Sequence, residues 1–565
     1  MSLVKKVLVI ALIVCICTFS LSANPKYYNH DSKEYQLTKL LTQTISVTPP
    51  SVVTPVTGDS LLKTLNNIDK DRLPAHLIPV YEGLIKELQS PEAMFNSKRF
   101  QGNIDLTASL ELNTIANPAD NYTPSTVIYP LKDRQPSLEF DFDAMWNDTI
   151  YGRTQMMFLK CLTSDYPTSN FSTNFNIGSN ATQQHIYPTD AGLSIGNDHA
   201  SFFLGRGKLN IGNGYTGNLY ISDNFLMQDF VKFSFFSDIF DYDFTLTHFD
   251  QQVSPLNFAQ WMTFDGKNQM RISHSYSTNI YNKVLLSIHA GSLLQTESAI
   301  DFRMFNPFIF LHNWKGFDNE SKWQNNIIEL EINAGLGKGF NMNFQFVLDQ
   351  IQLTSEVKDT PAEKIYPNAL GWLLNFNHTY STKSAFIETF LEGLLTMPAL
   401  YLNSKDLFSA SEITKKIGDI YNYDFILGYF SSDYSIGDIS YSGHRFGPDT
   451  IALAVGGKYV PYNYKWDIAY QALFKVHGQK GIKWHDNQDS YLSTGNENLW
   501  KMHSDGTDEY LLQLSTAVNY SLTDYLRFNT VMGMQSFWNF QNEKGRSYQN
   551  FQFSIGFSFI PTKIW

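Results

Sequence analysis

Period-two alternation, held for ten or more residues at a time, constrains this chain more than any other feature. In Trp466–His477, the residues Trp466, Ile468, Tyr470, Ala472, Phe474 and Val476 share one face, while Asp467, Gln471, Lys475 and His477 share the other. Tyr510–Leu522 repeats the pattern, with Leu512, Leu514, Val518 and Tyr520 against Gln513, Ser515, Asn519 and Ser521. Phe551, Phe553, Ile555, Phe557 and Phe559 oppose Asn550, Gln552, Ser554 and Ser558; Met342, Phe344, Phe346 and Leu348 oppose Asn343, Gln345 and Asp349. Leu138, Phe140 and Phe142 oppose Glu139, Asp141 and Asp143. Such runs are β-strands with one apolar face.

The length of the runs selects the apolar phase. Strands of a soluble sandwich average about 5–6 residues, whereas a tilted strand crosses a bilayer in about 9–11. Aromatic residues make up 15% of the chain, yet its mean hydropathy is -0.24. A membrane barrel reconciles the two, because only alternate residues meet lipid. Beyond the N-terminus there is no apolar segment of about 18 residues, which excludes a helical membrane protein. Connections also alternate in length. Ser521–Tyr525, Pro461–Tyr464 and Ser381–Lys383 are short, whereas Gly478–Asp508, Ser442–Asp449 and Thr354–Pro367 are long. Short periplasmic turns and long outer loops are the habit of outer-membrane barrels. The chain ends in Trp565 after the aromatic run from Phe551, like the C-terminal strands that outer-membrane assembly machinery reads, although Pro561 interrupts it.

The first residues set the compartment. Lys5 and Lys6 precede an apolar run from Val7 to Cys17, followed by Ser20-Leu21-Ser22-Ala23. This is the pattern of a secretory signal peptide over 1–23, cleaved after Ser22 or Ala23. Cys161 is then the only remaining cysteine, so no intrachain disulfide stabilises the exported chain. The formal charge of -12 becomes more negative once Lys5 and Lys6 are lost, which argues against a nucleic-acid partner. Residues 24–58, broken by Pro49, Pro50 and Pro55, read as a linker. Residues 59–98 read as a periplasmic helical segment: Asp59 is an N-cap before Leu61, Leu62, Leu65 and Ile68, and a second helix starts near Pro79. The barrel then occupies 99–565.

One motif points elsewhere. Gly212-x-Gly214-x-x-Gly217 has the spacing of a dinucleotide-binding fingerprint. That fingerprint follows a strand and opens a helix. Here Ser201–Ile211 is a plausible strand, but Asn218-Leu219-Tyr220-Ile221-Ser222 is again strand-like. The context fails, and the glycines are expected at a sharp bend or a close backbone approach.

The same stretch carries a family resemblance. Gly205-Arg206, then the three glycines, then Leu219 and Ile221-Ser222, resembles a segment of the Wzi-like capsule assembly proteins. Arg271-Ile272-Ser273-His274, Asn306-Pro307 and Gly443-His444-Arg445-Phe446-Gly447-Pro448-Asp449 follow in matching order. The resemblance spans about residues 60 to 480. It implies an outer-membrane barrel of eighteen antiparallel strands with a small periplasmic helical bundle. It also implies a lectin-like function, holding exported polysaccharide at the cell face without chemistry on it. Counting strand candidates alone gives roughly 18 to 22. Tyr401–Asn422 and the Gly478–Asp508 loop depart from that layout.

No catalytic constellation is visible: there is no His-Glu-x-x-His, no Gly-x-Ser-x-Gly and no cysteine pair. His477, His485 and His503 gather around one loop without metal-ligand spacing and read as solvated residues, so neither a metal nor a cofactor is expected. Sequence does not relate His289 to any serine. Sugar binding asks for aromatic faces beside polar and charged groups. Trp484 and Trp500 bracket His485, Asp486, Asn496 and Lys501, Trp314 and Trp323 flank a second polar stretch, and His444 and Arg445 lie on a neighbouring loop. Tryptophans can equally serve as an interfacial belt. The expected partners are outer-membrane lipid, surface polysaccharide and the assembly machinery. The rival function is a porin, which needs an open, charged constriction; an outer-membrane enzyme would need a nucleophile–base pair.

Overall fold

The computed structural model describes residues 24–561, apart from 92, 98, 119–126, 130–132, 161–169, 175–182, 225–226, 250–267, 297–301, 309–323, 359–366, 402–428, 432–433, 437–441, 480–498 and 504–505. Eighteen strands of eight or more residues close into one antiparallel barrel. In chain order they are β1 Phe100–Ile115, β2 Leu138–Trp146, β3 Ile150–Lys160, β4 Gln183–Gly196, β5 Ala200–Gly207 and β6 Gln228–Phe236. Next come β7 Phe240–Phe249, β8 Asn268–Ile280, β9 Val284–Thr296, β10 Gln324–Gly337, β11 Phe340–Gln350 and β12 Ala369–Ser381. The last are β13 Ala385–Thr396, β14 Thr450–Pro461, β15 Trp466–His477, β16 Glu509–Thr523, β17 Leu526–Trp538 and β18 Ser547–Phe559. β18 pairs with β1, from Gln552↔Ile115 to Phe559↔Ala108, and this pairing removes both sheet edges.

The alternation read from sequence sorts the two faces of the wall. Phe140, Leu204, Phe376, Leu453, Leu514 and Phe551 stand exposed on the outside, where lipid would cover them. The intervening residues, such as Asn343, Gln345, Glu392, Gln552 and Ser554, are buried inside. Connections of two to four residues all fall at one end, as between β12 and β13 or β16 and β17. Trp146, Phe240, Tyr281, Phe340, Tyr380 and Tyr525 ring that end, an aromatic girdle at the periplasmic interface.

Eighteen strands enclose a lumen wide enough for water, and here protein occupies it. The N-terminal stretch enters from the short-turn end. Residues 24–58 are folded, not a linker. Lys33–Thr44 forms helix α1, capped by the Ser32 hydroxyl, and buries Tyr35, Leu37, Leu40 and Leu41 together with Thr38, Thr42 and Gln43. Its polar residues are buried on the same helix as its leucines, so no one-sided apolar stripe announced it. The prolines mark the turns of Val53–Thr54 and Val56–Thr57, short strands that pair with Asn210–Ile211 and Tyr27–Tyr28. Helices α2 (Gly58–Asn66) and α3 (Ile78–Gln89, with a proline in its first turn) match the expected pair, except that Thr57, not Asp59, is the N-cap. The helices rest on the turns: His76 Nε2 is 3.0 Å from Ser381 Oγ, the Ser46 hydroxyl accepts from Gly339 N–H at 2.8 Å, and Lys63 pairs with Asp241 at 3.0 Å. Deeper inside, the Lys232 ammonium of β6 donates to the carbonyls of Val53 (2.6 Å) and Pro55 (2.8 Å).

Candidate functional site: the filled lumen and the outer loops

The glycine motif lies between β5 and β6, in residues 208–224, which fold into the lumen. β5 ends at Gly207, and Asn218–Ser222 is not a strand, although Ile211 and Ile221 form one isolated bridge. Gly212 and Gly217 have φ of 117° and 140°, conformations open mainly to glycine. A Cβ on Gly214 would lie 1.9 Å from the carbonyl oxygen of Gly217. The spacing thus encodes a tight fold of the loop upon itself.

This plug is bonded to successive wall strands. Tyr220 Oη donates to Ser273 Oγ of β8 at 2.8 Å, and Asn213 Nδ2 to Asn333 Oδ1 of β10 at 3.1 Å. Gln345 of β11 accepts from Leu219 N–H at 3.0 Å and donates to Asn218 Oδ1 at 2.8 Å. On β13, the Glu392 carboxylate accepts from Tyr215 N–H (2.7 Å), Thr216 N–H (2.7 Å) and Thr216 Oγ1 (2.5 Å). The Tyr215 hydroxyl donates to Glu388, and its ring stacks on Phe390 at 4.0 Å. Leu209, Ile211, Leu219 and Ile221 are fully buried in the same cluster as Val347, Leu373 and Leu400. Between α1, the plug and the β10–β12 wall remains a cavity of about 20 Å³, room for one water. The loop between β1 and β2 also turns inward: Glu111 of β1 binds Arg134 Nε at 2.5 Å and the Tyr129 hydroxyl at 3.0 Å, all buried.

Of the expected sugar ligands, His444 packs against the plug. It is fully buried, and its Nε2 lies 3.0 Å from Thr216 Oγ1. Its Nδ1 accepts from Phe446 N–H at 3.3 Å, which assigns the proton to Nε2. Burial drives its pKa down to about 3, so the imidazole is neutral. With both ring nitrogens engaged inside the protein, it cannot meet an external ligand. Arg445, one residue on, is exposed, its guanidinium 5.0 Å from the Phe446 ring centre. Trp500 is 45% exposed, and Lys501 follows it. Trp314, Trp323, Trp484, His485, Asp486 and Asn496 lie outside the described residues.

Arg445 and Trp500 sit on loops that are tied together. His503 reaches Asp449 Oδ1 at 2.9 Å through Nδ1 and Asp508 Oδ1 at 2.8 Å through Nε2. Asn368 N–H donates to the Leu499 carbonyl at 3.0 Å, while the Leu499 side chain packs on Val357. The two carboxylates, Asp449 first, raise the His503 pKa from 6.5 to about 9. A raised imidazole pKa stabilises the folded loop fully below about 6.5 and loses that contribution as pH climbs through about 9. Hydrogen exchange of residues 499–503 and 506–508 should therefore be slow at pH 6 and faster, beyond the intrinsic pH effect, at pH 10. Equal protection at both values would show that the clamp does not titrate.

One buried set was not visible in the sequence. His289 of β9 faces Glu329 of β10 in the ladder, and Glu331 follows on the same face. His289 Nδ1 is 2.8 Å from Ser275 Oγ on β8, and Nε2 is 3.3 Å from Glu331 Oε2. This places the serine that sequence could not relate to His289. It does not make a hydrolase: Ser275 is 1% exposed, His289 and Glu331 are 0%, and Tyr220 of the plug stacks over the imidazole, leaving no face for a substrate carbonyl. The sequence signal was Glu329-x-Glu331, two acids on the inward face of one strand; what it lacked was the register that adds a histidine forty residues away.

No protein-family model matches the sequence, and no curated protein matches it. Among solved structures, the chain is similar to Wzi, described as an outer membrane protein involved in group 1 capsule assembly in Escherichia coli and a carbohydrate-binding β-barrel. The TM-score is 0.53 at 10% identity, over 94% of this chain and 99% of that one. OprD of Pseudomonas aeruginosa (TM-score 0.38, 8% identity) and the outer membrane channel DcaP of Acinetobacter baumannii (0.34, 10%) each align over 83% of this chain and 100% of their own. At those scores they carry no argument. The closed antiparallel wall, its apolar outer face and the Wzi likeness make the chain an outer-membrane β-barrel.

Proposed function

We propose that this barrel holds or helps assemble a surface polysaccharide, without chemistry on it and without conducting solutes. The observation that carries the reading is the double filling of the lumen, by the N-terminal segment from one end and by 208–224 from the other. A channel needs a water-filled constriction, whereas a surface anchor needs rigid loops. The clamp of His503 on Asp449 and Asp508 and the Leu499–Val357 contact supply rigidity beneath Trp500 and Arg445. Wzi, the carbohydrate-binding barrel of similar fold, supports the same reading. Residues 1–23 serve as export signal, α1 fills the lumen while α2 and α3 close its periplasmic mouth, and the assembly machinery inserts the wall.

The sugar face comprises Trp500, Lys501 and Arg445, with Trp484, His485, Asp486, Asn496, Trp314 and Trp323 as further candidates. An indole covers the C–H face of a pyranose, and cationic groups pair with uronate carboxylates. Binding of acidic polysaccharide fragments to the purified barrel, followed by calorimetry, tests this. Trp500→Ala and Arg445→Ala should each weaken binding about tenfold, or about 1.4 kcal/mol. Binding that survives both changes, or no binding to any exported polysaccharide, sinks the reading.

A further inference from the structure

The geometry points to a buried divalent-cation site, best suited to zinc, formed by His289, Glu329 and Glu331 beneath the plug. A ring nitrogen of the histidine and one oxygen from each glutamate all lie within 4.8 Å of one another, and all three residues are buried. Glu329 is the decisive member. Its side chain is 0% exposed, and neither carboxylate oxygen has a hydrogen-bond partner. The main-chain N–H of Tyr220 approaches the carboxylate without reaching hydrogen-bond geometry. A buried carboxylate with two orphaned oxygens costs several kcal/mol unless a cation or a proton answers it.

The surroundings favour a cation. The 3.3 Å between His289 Nε2 and Glu331 Oε2 is long for a charge-assisted hydrogen bond. It matches the edge of a zinc tetrahedron, about 3.3 Å for ligands at about 2.0–2.1 Å. Ser275 Oγ lies 2.8 Å from the other imidazole nitrogen, placed to accept its proton when Nε2 binds a metal, as the outer partner of a metal-bound histidine does. Asn333 (3.0 Å) and Asn343 (2.6 Å) donate to the remaining oxygen of Glu331 and fix its carboxylate. Lys39 of α1, whose field reaches Glu331, stands instead 5.3 Å from the Tyr215 ring centre. One imidazole and two carboxylates form a nitrogen–oxygen set that zinc accepts, with a fourth position for water or a second carboxylate oxygen.

The site would join β9 and β10 to the plug. Tyr220 stacks on His289 with ring centres 5.8 Å apart and anchors through Ser273 on β8. A bound cation would neutralise the acids over which this tyrosine lies and so hold the loop in place. The set lies deep beneath the outer loops, so the inference is independent of any sugar.

The untagged full chain, purified from membranes, dialysed against a chelator and then titrated with zinc chloride, provides the test. Elemental analysis should find one zinc per chain, and the unfolding temperature should rise with zinc. Glu329→Gln, nearly isosteric, should weaken zinc binding at least tenfold, and His289→Gln should do the same, while heat-modifiable gel mobility shows that both barrels are folded. Two results would overturn the proposal: a wild-type chain that retains no zinc and melts identically with chelator, or a Glu329→Gln variant that binds zinc as tightly as wild type. The first would identify Glu329 as a buried protonated acid.

Discussion

A barrel deprived of both lumen fillings, residues 24–91 and 210–224, is expected to show large, stable conductance steps in a planar bilayer, while the full chain is silent. The wall alone has the strand number at which porins leave an aqueous channel. The two fillings meet where Asn210–Ile211 pairs with Val53–Thr54 and Val52 accepts from Gly212 N–H at 3.1 Å. Either one alone still obstructs the lumen, so each single deletion should give small or absent steps. Stable steps from the intact chain would contradict the filled lumen and promote the porin. A folded but silent double deletion would show that the inward β1–β2 loop and wall side chains such as Arg153, bridged to Asp141 and Asp190 on the lumen face, close it unaided.

The second large effect concerns Glu392. Its carboxylate, 1% exposed, gathers two main-chain amides and a hydroxyl of the plug, with Asn375 Nδ2 at 3.3 Å as a further donor. Hydrogen bonds to a charged partner contribute about 1.5–3 kcal/mol each, and unmatched buried donors add their desolvation penalty. Glu392→Ala should thus weaken the seating of the plug by about 3–5 kcal/mol, allowing for incomplete additivity. The measurement is hydrogen exchange at Tyr215 and Thr216, which should become about a hundred- to several-thousand-fold less protected. Glu392→Gln keeps an acceptor and should show a smaller loss. Unchanged protection in Glu392→Ala would mean that apolar packing of Leu209, Ile211 and Leu219 holds the plug without the carboxylate.

Much of the wall is legible in the sequence alone. Phe551, Phe553 and Phe557 against Gln552, Ser554 and Ser558 already distinguished lipid from lumen, because a strand's side-chain period is local and needs no partner. Short turns at Ser381–Lys383 and Pro461–Tyr464 likewise marked the periplasmic end. The linker assignment for 24–58 failed for a physical reason. A helix such as α1, buried on polar as well as apolar residues, lacks the one-sided stripe by which helices are found. The glycine motif bends sharply, as its strand-like flanks imply, but its fold back into the lumen is invisible in the sequence. Nothing near Gly212 in sequence announces Gln345 or Glu392. His444 was read as an outer sugar ligand because its loop is polar, whereas the chain folds that loop onto the plug.

The sequence by itself determined the barrel, its orientation and its membrane, since alternation, strand length and turn length are properties of contiguous residues acting through backbone geometry and lipid exposure. Only the tertiary structure decided what fills the lumen and what lies under the filling. Those contacts join residues such as Leu219 with Gln345, or His289 with Glu331, whose approach depends on the register of several strands at once. A one-residue slip of β10 would turn Glu329 and Glu331 to the lipid and dissolve the buried cluster without altering any local pattern.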